Sequence, residues 1–413
     1  MSNVANGDGL VIVGGGLSTG RAIKSYRESG GEGPITLFSR DSQVPYHRPP
    51  LSKKFLRGEA EVEDTLVEPE QFYRDHDVDL HLETAVAELD LHDRKLRLTG
   101  GGEKAFDRLL IASGATPRKL DVPGSELEGI FSLRTLDDSA RIREAAKDAR
   151  HAVIVGAGFI GMEVAASLSQ LGLEVTLVHR GKGLFEILRA RPVAQFLQDL
   201  YGKNGVELVL GDEVASFNGF SKLDSVETKR GRVAQAELAV VGIGVAPWVD
   251  WLRSSGLPLD NGVIVNERFE TGPEGVWAVG DVARFYDPVF GKYRRIEHWS
   301  HANYTGTKVG ELMAGKDGEY DVVSTFFSEV FGFTFRLLGD VDDVDGIVYR
   351  GSLEERDAIV FYVLEGRLVG ALIVGQDEET ENRLKELLAR QAPIDDPDRL
   401  GDADKPLEEL LPA

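Results

Sequence analysis

The chain has 413 residues, 42% apolar and 28% charged, which is too long for one small domain and apolar enough to bury large cores. Its 47 basic and 69 acidic residues leave a net charge of −22, which argues against a general nucleic-acid binder and against adhesion to anionic lipid. Cysteine is absent, so a disulfide framework, a thiolate metal site and a thiol nucleophile are all excluded.

The start, MSNVANGDG, has neither the basic end nor the apolar core of a signal peptide. The first element is a short β-branched strand, Leu10-Val11-Ile12-Val13, followed by Gly14-Gly15-Gly16. A helix is expected over 17–28, ending near Gly30, and then a strand, Ile35 to Phe38. The same unit recurs 142 residues later. Ala152-Val153-Ile154-Val155 leads into Gly156-Ala157-Gly158, a helix over 159–170, Gly172 and a strand, Val175 to Val178. In such a turn the first glycine permits a tight bend and the second lets backbone approach a pyrophosphate. The helix N-terminus then supplies free N–H groups. Gly156, Gly158 and Gly161 complete this pattern. Gly14 and Gly16 are followed instead by Thr19, which must pack closely on the sheet or shift the helix start. Two dinucleotide folds in one chain suggest a hydride donor and acceptor, usually a nicotinamide and a flavin. The longest apolar run, about 238–249, is interrupted by Gly and Pro and falls short of the ~20 residues a membrane span needs. A cytoplasmic protein is the expectation. Strands are expected over 358–364 and 368–374, joined by Glu365-Gly366-Arg367. A helix follows from Glu378 to Arg390, and the acidic tail from Pro393 is expected to be loosely ordered.

Five further blocks resemble the FAD-dependent ferredoxin reductases of oxygenase systems, the ferredoxin-, rubredoxin- and putidaredoxin-reductase type, in that family's order. They are Pro45-Tyr46-His47-Arg48-Pro49-Pro50-Leu51-Ser52-Lys53, the segment Leu110 to Arg118, Val241 to Pro247, Val276 to Val282, and Ile296-Glu297-His298-Trp299. Apoptosis-inducing-factor-like oxidoreductases share much of the pattern. The resemblance implies an α/β fold with two Rossmann-like dinucleotide-binding domains and a smaller α+β C-terminal domain. The FAD domain would be split over 1–119 and 246–324, the NAD(P) domain would occupy 120–245, and the last domain 325–413.

It also implies roles. Gly14, Gly16 and Gly280 would take the FAD backbone, and Asp281 would bond its ribityl chain. Asp41, 25 residues past Gly16, is a candidate for the adenosine ribose. Arg48, Pro49, Ser113, Gly114 and Arg118 would line the flavin, as would Glu297, His298 and Trp299. Gly156, Gly158, Ile160, Gly161, Gly242 and Gly244 would take the nicotinamide nucleotide. Lys53 and Glu163 would pair beside the flavin ring, where a fixed cation stabilises the charge of reduction. His47, His298 and His301 have no convincing metal spacing, so no metal is expected.

An NAD site normally carries an acid about 20 residues past the glycine turn. Here that place is His179-Arg180-Gly181-Lys182. Arg180 could bond a 2′-phosphate, so the reading leans to NADPH within an NAD(P)H-dependent enzyme. With no cysteine, electrons must leave the flavin directly. A small iron–sulfur protein, a [2Fe–2S] ferredoxin or rubredoxin, is the preferred acceptor for a monomer or homodimer. Oxygen or a quinone, or a redox-sensing role like that of apoptosis-inducing factor, are the alternatives. Ferredoxins are usually acidic, so docking would need a local basic patch. Arg48, Lys53, Lys54 and Arg57 form one candidate, and Lys292, Arg294 and Arg295 another.

Overall fold

A computed structural model describes residues 9–410. They divide into two compact units. The first takes the chain up to Pro49, Glu61–Thr116 and Val245–Asp321, and the second takes Pro50–Ala60, Pro117–Gly244 and the chain from Val322 onward.

The first unit is built on a parallel sheet in the order Val276–Ala278, Arg108–Ile111, Leu10–Val13, Ile35–Phe38, Val78–His81. Leu10, Val11, Ile12 and Val13 are all buried, as a strand covered on both faces requires. The helix Leu17–Glu28 follows directly. It packs on the helix Trp299–Met313 almost backbone to backbone. A Cβ at Gly306 would collide with the Ser18 backbone, and one at Gly310 with the Ala22 carbonyl. These two glycines, one turn apart, set the first turns of Leu17–Glu28 beside the middle of Trp299–Met313.

The second unit repeats the design. Its parallel sheet runs Glu207–Leu210, Glu174–His179, His151–Val155, Leu238–Val241, Ile130–Phe131. The helix Phe159–Gln170 follows the central strand. The same unit holds an antiparallel five-stranded sheet in the order Thr325–Val330, Phe333–Gly339, Arg367–Val374, Asp357–Leu364, Gly346–Ser352. Its central hairpin turns at Glu365 and Gly366, both at positive φ (50° and 69°), the backbone of a tight two-residue turn. The helix Glu378–Ala389 is capped by Asp377, which accepts from the Thr380 N–H at 2.8 Å, and it buries Leu384, Leu387 and Leu388.

This division differs from a simple reading of domain order in two places, each for a packing reason. Pro50–Ala60 lies in the second unit because its backbone is stitched to two helices there. Ser139 Oγ donates to Leu51 O at 2.7 Å, and Ser167 Oγ donates to Ser52 O at 2.6 Å. The C-terminal sheet joins the same unit through aromatic packing: Phe159 lies 3.7 Å from Phe326, and Phe185 meets Phe335 edge-on at 5.5 Å. The acidic tail is also more ordered than its composition suggests. Ile394 N–H donates to Gly366 O at 2.8 Å, Leu400 is fully buried, and Arg350 donates to the Lys405 carbonyl at 2.6 Å. Two buried leucine-size side chains and an arginine suffice to pin an otherwise polar segment.

His301, on the helix Trp299–Met313, is 2% exposed and stacked on Phe285 at 4.7 Å. Neither ring nitrogen has a hydrogen-bond partner among the described residues. Burial, helped by the charge of His298, pushes its pKa down to about 3. The unfolded chain takes up this proton near pH 6.5, while the folded chain refuses it until about pH 3. Stability is therefore lost as pH falls through that window. In urea titrations from pH 7 to pH 5, the His301→Phe holoprotein is expected to lose about 2 kcal/mol less than wild type, from about 1.4 kcal/mol per pH unit below 6.5. Equal losses in the two proteins would contradict the assignment.

Candidate functional site

In the first unit, the Gly14 N–H donates to Phe38 O at 2.8 Å, and its φ of +118° suits only glycine. A Cβ there would collide with the Ala112 carbonyl. The expected third glycine is Thr19, and the fold uses its side chain. Thr19 is fully buried and its hydroxyl donates to the Gly14 carbonyl. In the second unit the equivalent Gly161 has no room for a Cβ, which would collide with the Gly156 carbonyl. Both helices start one residue after the second glycine. The departure at Thr19 thus replaces a close approach with a hydrogen bond and leaves the helix start unchanged.

Gly16 and Gly158 are the N-caps of these helices. Neither helix has a side-chain cap or an acidic residue in its first turn. Two other helices are capped by side chains, Leu136–Asp148 by a capping box of Thr135 and Asp138 and Glu378–Ala389 by Asp377, whereas Arg191–Lys203 and Trp299–Met313 are not. An uncapped N-terminus leaves N–H groups and a positive dipole end for an anion. A Cβ at Gly158 would meet nothing within 4 Å, so the backbone there is open to approach. Arg48 brings its guanidinium beside Gly16, 3.2 Å from where a Cβ would stand. These features fit the pyrophosphates of two dinucleotides, FAD in the first unit and NAD(P)H in the second.

Gly280, at φ +69°, lies against Ser18 in the first turn of Leu17–Glu28. That contact sets Asp281 beside the first glycine turn, and the Asp281 carbonyl accepts from Arg295 at 3.1 Å. Arg295 also pairs with Glu297 at 2.5 Å. Trp299 Nε1 donates to His47 Nδ1 at 2.9 Å, joining blocks 252 residues apart in sequence. Burial, then the charge of Arg21, lowers the pKa of His47 and keeps that acceptor nitrogen unprotonated. Burial also lowers His298 to about 4. Pro49 opens the short helical turn Pro49–Ser52.

Other expected residues are engaged by the protein itself. Asp41 accepts from the Tyr46 hydroxyl at 2.5 Å. Ser113 Oγ donates to Trp248 O, and Gly114 O accepts from Trp248 N, both at 2.9 Å. Arg40 stacks on the Trp248 ring at 3.6 Å. In the second unit the Arg118 N–H donates to Gly244 O at 2.9 Å. The basic clusters are also largely neutralised. Lys53 pairs with Glu163, Arg57 with Glu59 at 2.7 Å, Arg294 with the buried Asp287 at 2.8 Å, and Arg295 with Glu297. Four of the seven cations are thus paired with carboxylates of the chain, while Lys54 stands exposed. Among the described residues no cluster of His, Asp or Glu could hold a metal, and no helix is long and apolar enough to cross a membrane.

Lys53 and Glu163 meet within the second unit. Lys53 Nζ lies 2.5 Å from Glu163 Oε2, with side chains 13% and 5% exposed. Glu163 stands in the first turns of Phe159–Gln170. Two hydroxyls that the sequence did not single out complete its shell. Ser52 Oγ donates to Oε2 at 2.5 Å, and Ser328 Oγ donates to Oε1 at 2.7 Å.

At the second glycine turn, Gly242 backs Gly156 and Gly161. Its N–H donates to Val155 O at 2.8 Å, and a Cβ on Gly156 would strike its carbonyl. Ile160 and Ile243 stand 42% and 36% exposed. His179 Nδ1 accepts from the Ala157 N–H at 3.3 Å, so the ring braces the turn. Arg180 is exposed. The sequence places no acid at this strand end, but the fold brings one there. Glu186 Oε2 lies 4.0 Å from His179 Nε2. Its Oε1 accepts from the N–H groups of Lys182 and Gly183, at 2.8 and 3.1 Å. Glu186 opens a single helical turn flanked by Phe185 and Arg189, both left-handed at φ 48° and 51°. Each such residue costs about 1–2 kcal/mol. The C-terminal sheet offsets this cost, because Tyr362 donates to Leu188 O at 2.5 Å in the same turn.

Comparison with known proteins agrees with this geometry. Residues 8–306 match the family described as pyridine nucleotide-disulphide oxidoreductase, and residues 325–411 match the family described as reductase C-terminal. The chain is 31% identical to the putidaredoxin reductase of Pseudomonas putida, over 98% of this chain and 97% of that one. It is 30% identical to the ferredoxin–NAD(+) reductase subunit of a benzene 1,2-dioxygenase system, also from Pseudomonas putida, over 98% of each. The reductase in a solved covalent putidaredoxin reductase–putidaredoxin complex superposes with a TM-score of 0.93, at 31% identity over 98% of each chain. The chain belongs to the pyridine nucleotide-disulphide oxidoreductase family, in its branch of FAD-dependent ferredoxin reductases.

Proposed function

We propose that this enzyme takes hydride from NADH onto FAD and passes the electrons singly to a small iron–sulfur protein of an oxygenase system, a [2Fe–2S] ferredoxin or rubredoxin. FAD, when bound, accepts the two electrons of a hydride and can release them one at a time. The observation that carries this reading is the pair of uncapped glycine turns in a chain without cysteine. Two dinucleotides can be held, and no dithiol can receive the electrons. The named relatives act with putidaredoxin or within a dioxygenase system. The purified yellow protein is expected to reduce a [2Fe–2S] ferredoxin with NADH and to show no disulfide reductase activity. A protein that cannot be reconstituted with FAD, or that consumes oxygen rapidly while leaving ferredoxin oxidised, would contradict this.

Within that reading Lys53 supplies a fixed cation to the reduced flavin, and Glu163 holds it. The cation matters most as negative charge develops, so its loss should slow the step more than it weakens binding. Lys53→Ala is expected to retain FAD but reduce it at least tenfold more slowly with saturating NADH in stopped flow. An unchanged rate would remove Lys53 from the reaction.

The coenzyme choice rests on Glu186. A carboxylate fixed by two backbone N–H groups favours a ribose 2′-hydroxyl and repels a 2′-phosphate. Arg180 is exposed and carries no comparable restraint. NADH is therefore expected to have at least tenfold the kcat/KM of NADPH, about 1.4 kcal/mol in transition-state binding. Glu186→Gln should narrow that ratio by improving NADPH use. A tenfold wild-type preference for NADPH would overturn the reading and restore Arg180 as the determinant.

A further inference from the structure

Glu163 is a buried carboxylate with three donors, and they come from two separate parts of the chain. Ser52 and Lys53 belong to the turn around Pro49–Ser52, and both reach Oε2. Oε1 is met by Ser328, on the first strand of the C-terminal sheet. Ser328 is fully buried. Side chains two apart on a strand share a face. Phe326, Ser328 and Val330 therefore point together, and Phe326 stacks 3.7 Å from Phe159, the first residue of the helix that carries Glu163. On the other side of that helix Tyr201 donates to Met162 O at 2.8 Å. Arg57 reaches Ser167 at 3.3 Å and is paired with Glu59. Lys53 and the hydroxyls of Ser52 and Ser328 are thus the groups that hold the carboxylate, while Tyr201 and Arg57 are committed elsewhere.

We propose that Ser328 is a positioning residue for the reaction. Through it the C-terminal domain fixes the rotation of the Glu163 carboxylate, so that Oε2 stays turned toward Lys53. The proposal rests on the Lys53–Glu163 reading above. A two-oxygen acceptor held at one oxygen can swing, and a second hydrogen bond at the other oxygen stops it. Because the site is buried, the Ser328 hydroxyl also stabilises the ionised carboxylate, which water cannot reach to compensate. Its loss should therefore weaken the grip on Lys53.

The test uses the FAD-loaded full chain and two readouts. In Ser328→Ala, the limiting rate of flavin reduction by NADH is expected to fall three- to tenfold at pH 7. NADH affinity and FAD content should be unchanged. Independently, acetic anhydride labelling of Lys53, read by mass spectrometry, should rise at least threefold over wild type as the ammonium is released. Ser328→Thr keeps the hydroxyl and should restore both. Glu163→Gln separates the two claims. If Glu163→Gln slows reduction but Ser328→Ala alters neither the limiting rate nor Lys53 labelling, the positioning role fails and the pair stands. If Glu163→Gln leaves the rate unchanged, the catalytic reading of the pair fails with it. A Ser328→Ala protein that loses thermal stability alone, with an unchanged limiting rate and unchanged labelling, would show a purely structural serine.

Discussion

The amide groups at a helix N-terminus need partners, and after its two glycine turns this chain supplies no side chain of its own to meet them. The helices after Gly16 and Gly158 lack side-chain caps and first-turn acids and start at a glycine N-cap; Arg191–Lys203 and Trp299–Met313 are uncapped too but start after Ala190 and His298, while Thr135 and Asp377 cap two other helices. An uncapped helix start leaves donors that a phosphate can satisfy. The surroundings serve those donors. The Gly306–Gly310 contact draws the helix Trp299–Met313 against the first nucleotide helix. Gly280 sets Asp281 at its first turn, and Arg48 adds positive charge next to Gly16. In the second unit His179 braces the turn at Ala157, and Gly242 backs it.

The C-terminal sheet has a role beyond adding a core. Its face carrying Phe326, Ser328 and Val330 lies on the second nucleotide helix, and Tyr362 anchors the strained turn that presents Glu186. The same sheet thus contacts both Glu163, through Ser328, and the turn that carries Glu186, through Tyr362. Two left-handed residues are tolerated around Glu186 because buried aromatic contacts at Phe185 and a hydrogen bond at Leu188 hold the turn in place.

The glycine spacing made both nucleotide turns legible from sequence, because close backbone approach leaves no substitute for a missing Cβ. The strands, the helices and the hairpin at Glu365-Gly366 were legible for similarly local reasons. Thr19 was legible only as a departure, since spacing says nothing about a hydroxyl reaching the Gly14 carbonyl. Ser52, Ser328 and Glu186 carried no signal, because their roles depend on tertiary proximity. Ser328 is 165 residues from Glu163, and Glu186 reaches the strand end only by folding back over Lys182 and Gly183. The basic clusters misled in the opposite direction. Neighbouring cations look like a patch in sequence, whereas here Glu163, Glu59, Asp287 and Glu297 neutralise most of them. The tail's acidic composition likewise concealed the burial of Leu400.

The central claim is that the uncapped start after Gly158 is a coenzyme phosphate site rather than a structural turn. Gly158→Asp tests it directly. Residue 158 has the extended backbone of an N-cap, and a Cβ there meets nothing within 4 Å, so the substitution is sterically free. An aspartate cap adds about a few tenths of a kcal/mol to the helix over glycine but sets a negative charge against the pyrophosphate. The account predicts a variant that keeps its FAD and its thermal stability while the NADH concentration for half-maximal flavin reduction rises at least tenfold. An unchanged NADH requirement in that folded, FAD-loaded variant would contradict it.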